Sequence, residues 1–249
     1  MNDDAHGVYP PLNTMKPVAP DVWIVDGPII RFGLRWAKAP FPTRMTIVRL
    51  RGNRLFVHSP TPLSDSLRAE VEAAGEVAWI LGPNRLHYWW IPDWRTAFPK
   101  AQVYLAPGVE KQARNRIDFA HRGLDQERGY PWDDEISTLP VGRGYFTEIV
   151  FFHHRSATLI LTDLIENFER NKLGSIVMRW LTRLGGVQDP DGQTPRDMRL
   201  TLARGRSDVR AAVERMIAWG PERVILAHGR WYERDGVKEL RRAFRWALR

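Results

Sequence analysis

The chain has 249 residues, of which 43% are apolar, so it can build a sizeable core and is not wholly disordered. It contains no cysteine, which excludes disulfides, thiolate zinc sites and iron–sulfur clusters; a bound metal would need histidine and carboxylate ligands. The net charge is +8, but the basic residues are spread along the chain and no nucleic-acid-binding motif is present. We therefore expect charged helix faces in contact with solvent and no specific nucleic-acid partner.

The N-terminal residues 1–20 are polar and rich in proline, and we predict that they form an arm outside the main domain, residues 21–249. They have neither the basic start nor the apolar stretch of a signal peptide. No run of about 18 apolar residues occurs in the chain, which argues against a membrane span. We expect a soluble protein of the cytoplasm.

The first half of the chain begins with predicted strands. Residues 22–27 are the first strand candidate, and an aromatic, proline-rich loop is predicted for residues 32–42. Residues 45–50 and 54–60 have the pattern of a β-hairpin around a short polar turn.

Helices and strands alternate after this hairpin. A helix is predicted for residues 64–74, because Ser64 is a favourable N-cap and Gly75 is a favourable residue just beyond the last turn. The apolar runs 77–81 and 101–106 are typical of buried parallel strands. Strands that alternate with helices, without a break in composition, favour a single α/β domain.

A second hairpin is predicted in the middle of the chain. Residues 148–152 and 158–162 are runs of β-branched and aromatic residues. His153 lies in the predicted turn, and Asp163 directly follows the second strand. A charge at the end of a buried strand is costly unless it is paired or bound to a cation, so both side chains are candidates for a site at neighbouring strand ends. A polar turn and a loop-capping aspartate are the simpler explanation of the same residues.

The second half is more helical, and we predict that residues 164–206 form a helical and loop insertion within the domain. Residues 172–184 have an amphipathic pattern with a basic polar face, which we interpret as a covering helix; contact with a membrane surface is the alternative. Ser207 is predicted to cap a helix that ends at Gly220, and a final helix is predicted for residues 237–248.

Polar side chains follow the apolar strand runs repeatedly: His58, His87, His153, Asp163 and His228. In layered α/β folds, residues just beyond the carboxyl ends of strands line the functional site. Neutral imidazoles with one carboxylate suit zinc, iron or manganese. The sequence contains no HExxH motif, no nucleotide-binding glycine loop and no nucleophile elbow, so the candidates form a dispersed set rather than a local signature.

Six segments carry a resemblance to a known superfamily: VAPDVWIVDG, MTIVRLRGNRLFVHSP, GPNRLHYWW, AQVYLAPG, EIVFFHHRSATLILTDLIEN and VILAHG. Their order resembles the metallo-β-lactamase superfamily, and within it the uncharacterised DUF4336-type family is the most similar. The resemblance extends over nearly the whole chain from about Val18. It implies one αββα sandwich domain, in a superfamily whose members commonly hold one or two metals at strand ends for hydrolysis or redox chemistry.

The resemblance also implies a ligand set. It assigns His87, His153, Asp163 and His228 as metal ligands, with Asp163 and His228 as the catalytic residues. His87 is what remains of the superfamily's H-x-H-x-D-H loop; the positions of further ligands in that loop are occupied by Trp89, Ile91 and Pro92. Whether a nearby side chain replaces a missing ligand stays open, and the candidates for this are Asp93, His58 and His154.

We therefore expect a degenerate metal site that holds one zinc, iron or manganese ion in a metal-dependent hydrolase. Its small-molecule substrate would contain an ester-, thioester- or phosphoester-like bond. The alternative is a non-catalytic binding or scaffold module of the same fold without a metal. In that case Asp163 is expected to pair with a protonated His153 or His228.

Overall fold

The protein contains two β-sheets. The computed structural model describes residues 7–34 and 37–249, without the side chains of residues 32–34, 37 and 38. The first sheet has seven strands in the order in which they occur along the chain. They are β1 (Lys16–Ala19), β2 (Val22–Leu34), β3 (Ala37–Leu50), β4 (Arg54–His58), β5 (Glu76–Gly82), β6 (Gln102–Leu105) and β7 (Arg122–Gly123). Strands β1 to β4 pair antiparallel, and β4 to β7 pair parallel.

The parallel half of the first sheet needs crossover connections, and helices occupy them. These helices are α1 (Asp65–Ala74), α2 (Ile91–Ala97) and α3 (Val109–Ala113). The sequence signal for α1 is confirmed: the Ser64 hydroxyl accepts a hydrogen bond from the Leu67 N–H at 3.2 Å. Parallel pairing places the carboxyl ends of β4, β5 and β6 along one edge of the sheet.

The second sheet has four strands in the order β11–β10–β9–β8. They are β8 (Ile136–Val141), β9 (Glu148–His153), β10 (Thr158–Ile160) and β11 (Arg223–Ile225). The predicted central hairpin is confirmed, since β9 and β10 pair antiparallel with His153 opposite Thr158. Strand β11 pairs parallel to β10, so both strands end at the same edge.

Five further helices follow the strands of the second sheet or precede β11. They are α4 (Ile176–Gly185), α5 (Arg196–Leu202), α6 (Arg206–Ala218), α7 (Gly236–Ala243) and α8 (Arg245–Leu248). None of the described helices combines the length and the apolar character that crossing a bilayer requires.

Side chains of β9 point alternately to the two faces of the second sheet, so this strand packs against both hydrophobic cores. Ile149 and Phe151 face the core between the sheets. The rings of Phe151 and Phe56 pack edge to face there, with their centroids 5.1 Å apart. Val150 and Phe152 point the other way, into a second core under α6, α7 and α8. Both faces of this sheet are covered, which is why residues 148–152 are almost uninterruptedly apolar. The predicted αββα sandwich is confirmed.

Three local predictions are corrected. Residues 32–34 and 37–42 belong to β2 and β3 rather than to a loop, while residues 35 and 36 lie outside the described residues. Helix α6 begins at Arg206 after Gly205, so Ser207 is not its cap. The final helix is divided into α7 and α8 at Phe244.

The predicted N-terminal arm is described in part. Residues 1–6 lie outside the described residues, and Lys16–Ala19 form β1 against β2. The domain boundary at residue 20 stays a prediction.

Candidate metal centre

Three of the predicted site residues converge at the edge where strands of both sheets end. His87 lies between β5 and α2, Asp163 follows β10, and His228 follows β11. One ligand atom from each lies within 4.8 Å of the other two. Asp163 and His228 are buried, and His87 is nearly so. Two imidazoles and one carboxylate are a donor set that zinc and non-haem iron take in proteins.

Glu148 fixes the backbone that carries Asp163. Its side chain is buried at the first position of β9. One carboxylate oxygen accepts the Thr162 N–H at 2.7 Å. The other accepts the N–H groups of Asp163 at 2.7 Å and Leu164 at 3.1 Å. Three backbone donors around one carboxylate hold the segment after β10 in a single arrangement.

Asn84 joins Asp163 to the segment that carries His87. Its side-chain N–H₂ group donates to Asp163 Oδ2 at 2.6 Å and to the Thr162 hydroxyl at 2.9 Å. Its carbonyl oxygen accepts the N–H groups of Leu86 at 2.8 Å and His87 at 3.2 Å. The buried amide therefore uses both its donor and its acceptor side to set the distance between His87 and Asp163.

The Nδ1 atoms of both histidines are engaged away from Asp163. His87 Nδ1 lies 2.6 Å from Ser59 Oγ, and His228 Nδ1 lies 2.6 Å from the Pro42 carbonyl oxygen. Both Nε2 atoms face the carboxylate, at 3.3 Å for His87 and 3.0 Å for His228. Metal-binding histidines are commonly oriented by such a bond on the second ring nitrogen.

The His228 contact requires a cation. Because a carbonyl oxygen can only accept, His228 Nδ1 must carry a proton. In the neutral ring, Nε2 would then present a lone pair to Asp163 Oδ1 at 3.0 Å, and two acceptors repel at that distance. Either a proton on His228 Nε2 or a metal ion between the two atoms removes the conflict. The donor set therefore fits a bound metal, and it fits a histidinium–aspartate pair.

A buried arginine positions the loop of His228. Arg44 donates to the carbonyl oxygens of Leu226 at 2.7 Å and Gly229 at 2.8 Å, on both sides of His228. Asp26 balances its charge, with Arg44 Nε at 2.8 Å from Asp26 Oδ1. Gly229 has a φ of +87°, and a Cβ there would overlap the Asn167 carbonyl. Glycine is therefore required directly after His228.

Burial and charge shift the pKa values of this cluster in opposite directions. Burial alone would raise the pKa of Asp163, but the imidazoles of His87 and His228 hold it well below its usual range. Burial alone would lower the pKa of His228, but its hydrogen bond to Asp163 and the charge of Asp163 raise it. Asp163 is therefore ionised, and it stabilises a positive charge on His228.

Two further acids border the cluster. Burial and the charge of Asp163 raise the pKa of Glu148 to about 7, although backbone N–H donors oppose the shift. Burial raises the pKa of Glu166 to about 8, so this residue carries a proton at neutral pH. Glu166 also lines the adjoining cavity.

The cluster opens into a cavity of about 670 Å³. His87, Asp163, Glu166, His228, Arg196 and Asp197 are the ionisable residues of its lining, and most of the remaining lining is apolar. Its apolar walls come from residues distant in sequence, including Phe41, Leu86, Trp89, Trp90, Phe168, Met178, Leu181 and Leu184. The size is that of a small-molecule site.

His153 is not part of the cluster, and this expectation is corrected. Glu148 and His153 are the first and last residues of β9, so at about 3.4 Å per residue they lie about 17 Å apart. Glu148 is the end that meets Asp163. In an antiparallel hairpin, the turn and the outer ends of the strands lie at opposite edges of the sheet, so His153 and Asp163 cannot share a site.

The structure also locates the three residues that were considered as replacements for the missing metal ligands. Asp93 is exposed in the first turn of α2, and His154 is exposed beside the hydroxyl of Ser137. His58 is fully buried, and burial together with the charge of His87 lowers its pKa to about 3. Its Nε2 has no hydrogen-bond partner among the described residues. None of the three belongs to the converging group of ligands found among the described residues.

Asn84, Glu148 and Glu166 were missed by the sequence analysis. Glu148 carried a usable signal, because it opens an apolar strand run in the same way that Asp163 closes one. Asn84 stands in a Gly-Pro-Asn segment that resembles an ordinary turn. No local pattern indicates that Glu166 is buried beside a cavity.

A family model described as "Domain of unknown function (DUF4336)" matches residues 22–189. No curated protein sequence matches the chain.

Several solved structures share the fold. DIM-1 metallo-β-lactamase exposed to ceftazidime has a TM-score of 0.61 and 13% identity, over 98% of this chain and 100% of that chain. FIM-1 from Pseudomonas aeruginosa in its mono-zinc form has a TM-score of 0.60 and 14% identity, over 95% and 96%. The peroxy diiron species of the chemotaxis sensor ODP has a TM-score of 0.52 and 14% identity, over 94% of each chain. At these identities the likeness shows a metallo-β-lactamase-like fold and no more.

Proposed function

The chain belongs to the DUF4336 family, and from this premise we propose that it is a hydrolase that binds one divalent metal at His87, Asp163 and His228. The substrate would be a small molecule with an ester-, thioester- or phosphoester-like bond. The convergence of one ligand atom each from His87, Asp163 and His228, all within 4.8 Å of one another, carries the proposal, because these three side chains form a donor set that suits a divalent metal.

Each ligand has a support suited to binding a metal. Ser59 and Pro42 orient the imidazoles of His87 and His228 so that both Nε2 atoms face Asp163. The negative charge of Asp163 offsets part of the charge of a divalent cation. Similar folds hold zinc in FIM-1 and iron in ODP, and zinc, iron and manganese are the candidate metals here.

A divalent metal in this position would supply Lewis acidity and lower the pKa of a water molecule. In the hydrolysis, the water oxygen would bond to the acyl or phosphoryl centre and lose a proton, the bond to the leaving group would break, and the leaving group would take up a proton. Glu166, whose raised pKa keeps it protonated at neutral pH and which lines the same cavity, would donate this proton and regain one from the water. The indoles of Trp89 and Trp90 make the cavity less polar, which strengthens these electrostatic effects.

Elemental analysis of protein purified without chelators tests the metal site. We expect about one metal per chain in the wild type and near-zero content in His87→Gln, because a site with three protein ligands loses one of them. The control is His154→Gln, which changes an exposed histidine outside the cluster and should retain the metal. A wild type that contains no metal and takes up none from zinc, iron or manganese solutions would contradict the proposal.

Hydrolysis is tested separately with the metal-loaded protein and a panel of aryl esters, thioesters and phosphate diesters. Turnover should require the added metal and should be lost in His87→Gln but not in His154→Gln. A loaded protein that hydrolyses none of the three classes would contradict the enzymatic part while leaving the metal site in place.

A non-catalytic, metal-free module is the second candidate, and one observation favours it. Asp163 is already satisfied by protein groups, since Asn84 donates to Oδ2 and a protonated His228 can donate to Oδ1. The raised pKa of His228 agrees with such a pair. Under this alternative, added metals should leave the melting temperature unchanged.

A further inference from the structure

Helix α4 has apolar side chains both on the face that borders the cavity and on the face that is exposed to solvent. Leu181 and Leu184 are 54% and 61% exposed, yet both line the cavity beside the metal centre. Met178 and Thr182 also line it, and both are less exposed than the two leucines. Trp180 is 61% exposed on the same helix but does not line the cavity. At about 100° per residue, Leu181 and Leu184 lie between the buried and the outer face, so they form the rim where the cavity meets solvent.

The cavity has a compact polar cluster and a largely apolar wall. The side chains of the metal cluster converge at one place, and Glu166, Arg196 and Asp197 are the other ionisable residues of the lining. The aromatic rings of Phe41, Trp89, Trp90 and Phe168 supply much of the remaining wall, and α4 supplies aliphatic side chains at the rim. Such a division matches a ligand with one polar, reactive end and an apolar body.

Covering the exposed rim would add to the binding of such a ligand. Leucine side chains that are more than half exposed leave apolar area in contact with water, and a ligand that covers them removes this area. Met178 is a flexible side chain that adapts to ligands of different shape. A polar ligand of similar size would leave these walls without favourable contacts.

We propose that the cavity binds the aliphatic acyl chain of an ester or thioester substrate. The chain lies between the indoles of Trp89 and Trp90 and the rim leucines of α4, and the acyl carbonyl lies at the metal cluster. The position of the carbonyl rests on the proposed hydrolase function. Chain binding does not, so it can be measured on the full chain without metal.

Calorimetric titration of the metal-free protein with hexanol, octanol and decanol tests chain binding. The affinity should rise about fourfold with each added methylene, because each one leaves water for an apolar wall. An affinity that does not depend on chain length overturns the proposal.

Variants of α4 locate the bound chain. Leu181→Asp and Leu184→Asp should weaken decanol binding by at least about tenfold, and both positions are exposed enough to accept aspartate without unfolding. Trp180→Asp and Leu200→Asp are matched controls, because each changes an exposed apolar side chain that does not line the cavity. They should leave decanol binding unchanged.

Membrane binding through the outer face of α4 is the outcome that would contradict chain binding in the cavity. Vesicles of anionic lipid are the probe for a membrane contact through Trp180 and the basic side chains within the segment 172–184. Vesicle binding that Trp180→Asp abolishes, in a protein that does not bind decanol, would make this face a membrane contact and overturn the cavity proposal.

Ester hydrolysis by the metal-loaded protein separates this inference from the proposed function. Nitrophenyl decanoate should have a higher kcat/KM than nitrophenyl acetate, and Leu184→Asp should remove most of this preference. Decanol binding without turnover of either ester supports the chain site and contradicts the hydrolase. Equal kcat/KM for both esters, with no decanol binding, supports the hydrolase and overturns the chain site.

Discussion

The second sheet has a buried histidine at each end, and the two have opposite electrostatic environments. At the turn of the β9–β10 hairpin, His153 Nδ1 lies 2.8 Å from the hydroxyl of Ser156, which donates to the hydroxyl of Thr158 at 2.8 Å. Burial lowers the pKa of His153. At the other end, the bond and charge of Asp163 outweigh burial and raise the pKa of His228.

This difference shows that a histidine at a strand end is not sufficient for a metal site. The Ser156 hydroxyl satisfies Nδ1 of a neutral His153 ring, and burial outweighs the charges of Glu135 and Asp21 that favour its protonated form. His228 faces a buried carboxylate with its tautomer fixed, so either a proton on Nε2 or a bound metal ion is needed there. The carboxylate partner, rather than the histidine, distinguishes the candidate site from ordinary polar packing.

The largest expected effect is on the free energy of unfolding, and it is tested by replacing one arginine at each end of the second sheet. Arg44 is buried between Asp26 and the His228 loop, whereas Arg223 donates to the Ser156 carbonyl at 3.1 Å from a partly exposed position. Arg44→Met should lower the free energy of unfolding by about 3 kcal/mol, because Asp26 keeps only the partly exposed Lys16 as a partner and the carbonyls beside His228 lose their donor. Arg223→Met should cost at most about 1 kcal/mol. Chemical denaturation measures both, and equal losses would contradict the comparison.

The second prediction concerns metal binding. At about 100 times the dissociation constant, a metal should stabilise the wild type by about 2.7 kcal/mol. Asp163→Asn should lose most of this gain, because the amide is neutral and a poorer ligand. Ser156→Ala, at the other end, should retain it. Thermal-shift titrations of the three proteins decide the matter; a wild type unaffected by metal but destabilised by Asp163→Asn would favour the metal-free module.

The third prediction uses the opposite pKa shifts in the metal-free protein. Because the folded pKa of His228 is raised above the unfolded value of 6.5, its stabilisation is present below that pH and is lost as the pH rises through the folded value. The folded pKa of His153 is lowered, so its stabilisation is present above 6.5 and is lost as the pH falls.

Unfolding free energies measured across this pH range check both signs. The difference between wild type and His228→Asn should shrink toward alkaline pH, and the difference between wild type and His153→Asn should shrink toward acidic pH. Two differences that change in the same direction would contradict the assigned environments.

The smallest expected effect concerns the hydroxyl network at the turn. Ser156→Ala removes the contacts with His153 and Thr158 and should lower the free energy of unfolding by about 1 kcal/mol. The loss should be the same with and without metal. A loss that depends on metal would show that the two ends are coupled.

Local sequence signals predicted much of the fold. The Ser64 cap located α1, and the apolar run of residues 148–152 located β9, because capping and side-chain alternation depend on neighbouring residues. The prediction failed for residues 32–34 and 37–42, where prolines and aromatic residues suggested a loop but the chain continues as paired strands. Pairing with a neighbouring strand stabilised that segment, and local propensity does not report it.

The sequence by itself, through strand ends and the family resemblance, selected His87, Asp163 and His228 as side chains able to hold a metal. Only the tertiary structure decided that these three meet and that His153 does not, because the direction of the hairpin places its turn and its outer ends at opposite edges. The roles of Asn84, Glu148 and Glu166 depend on burial and on partners that are distant in sequence. Hydrogen bonds and pKa shifts of this kind arise when folding removes water and brings charges together, and no local pattern encodes them.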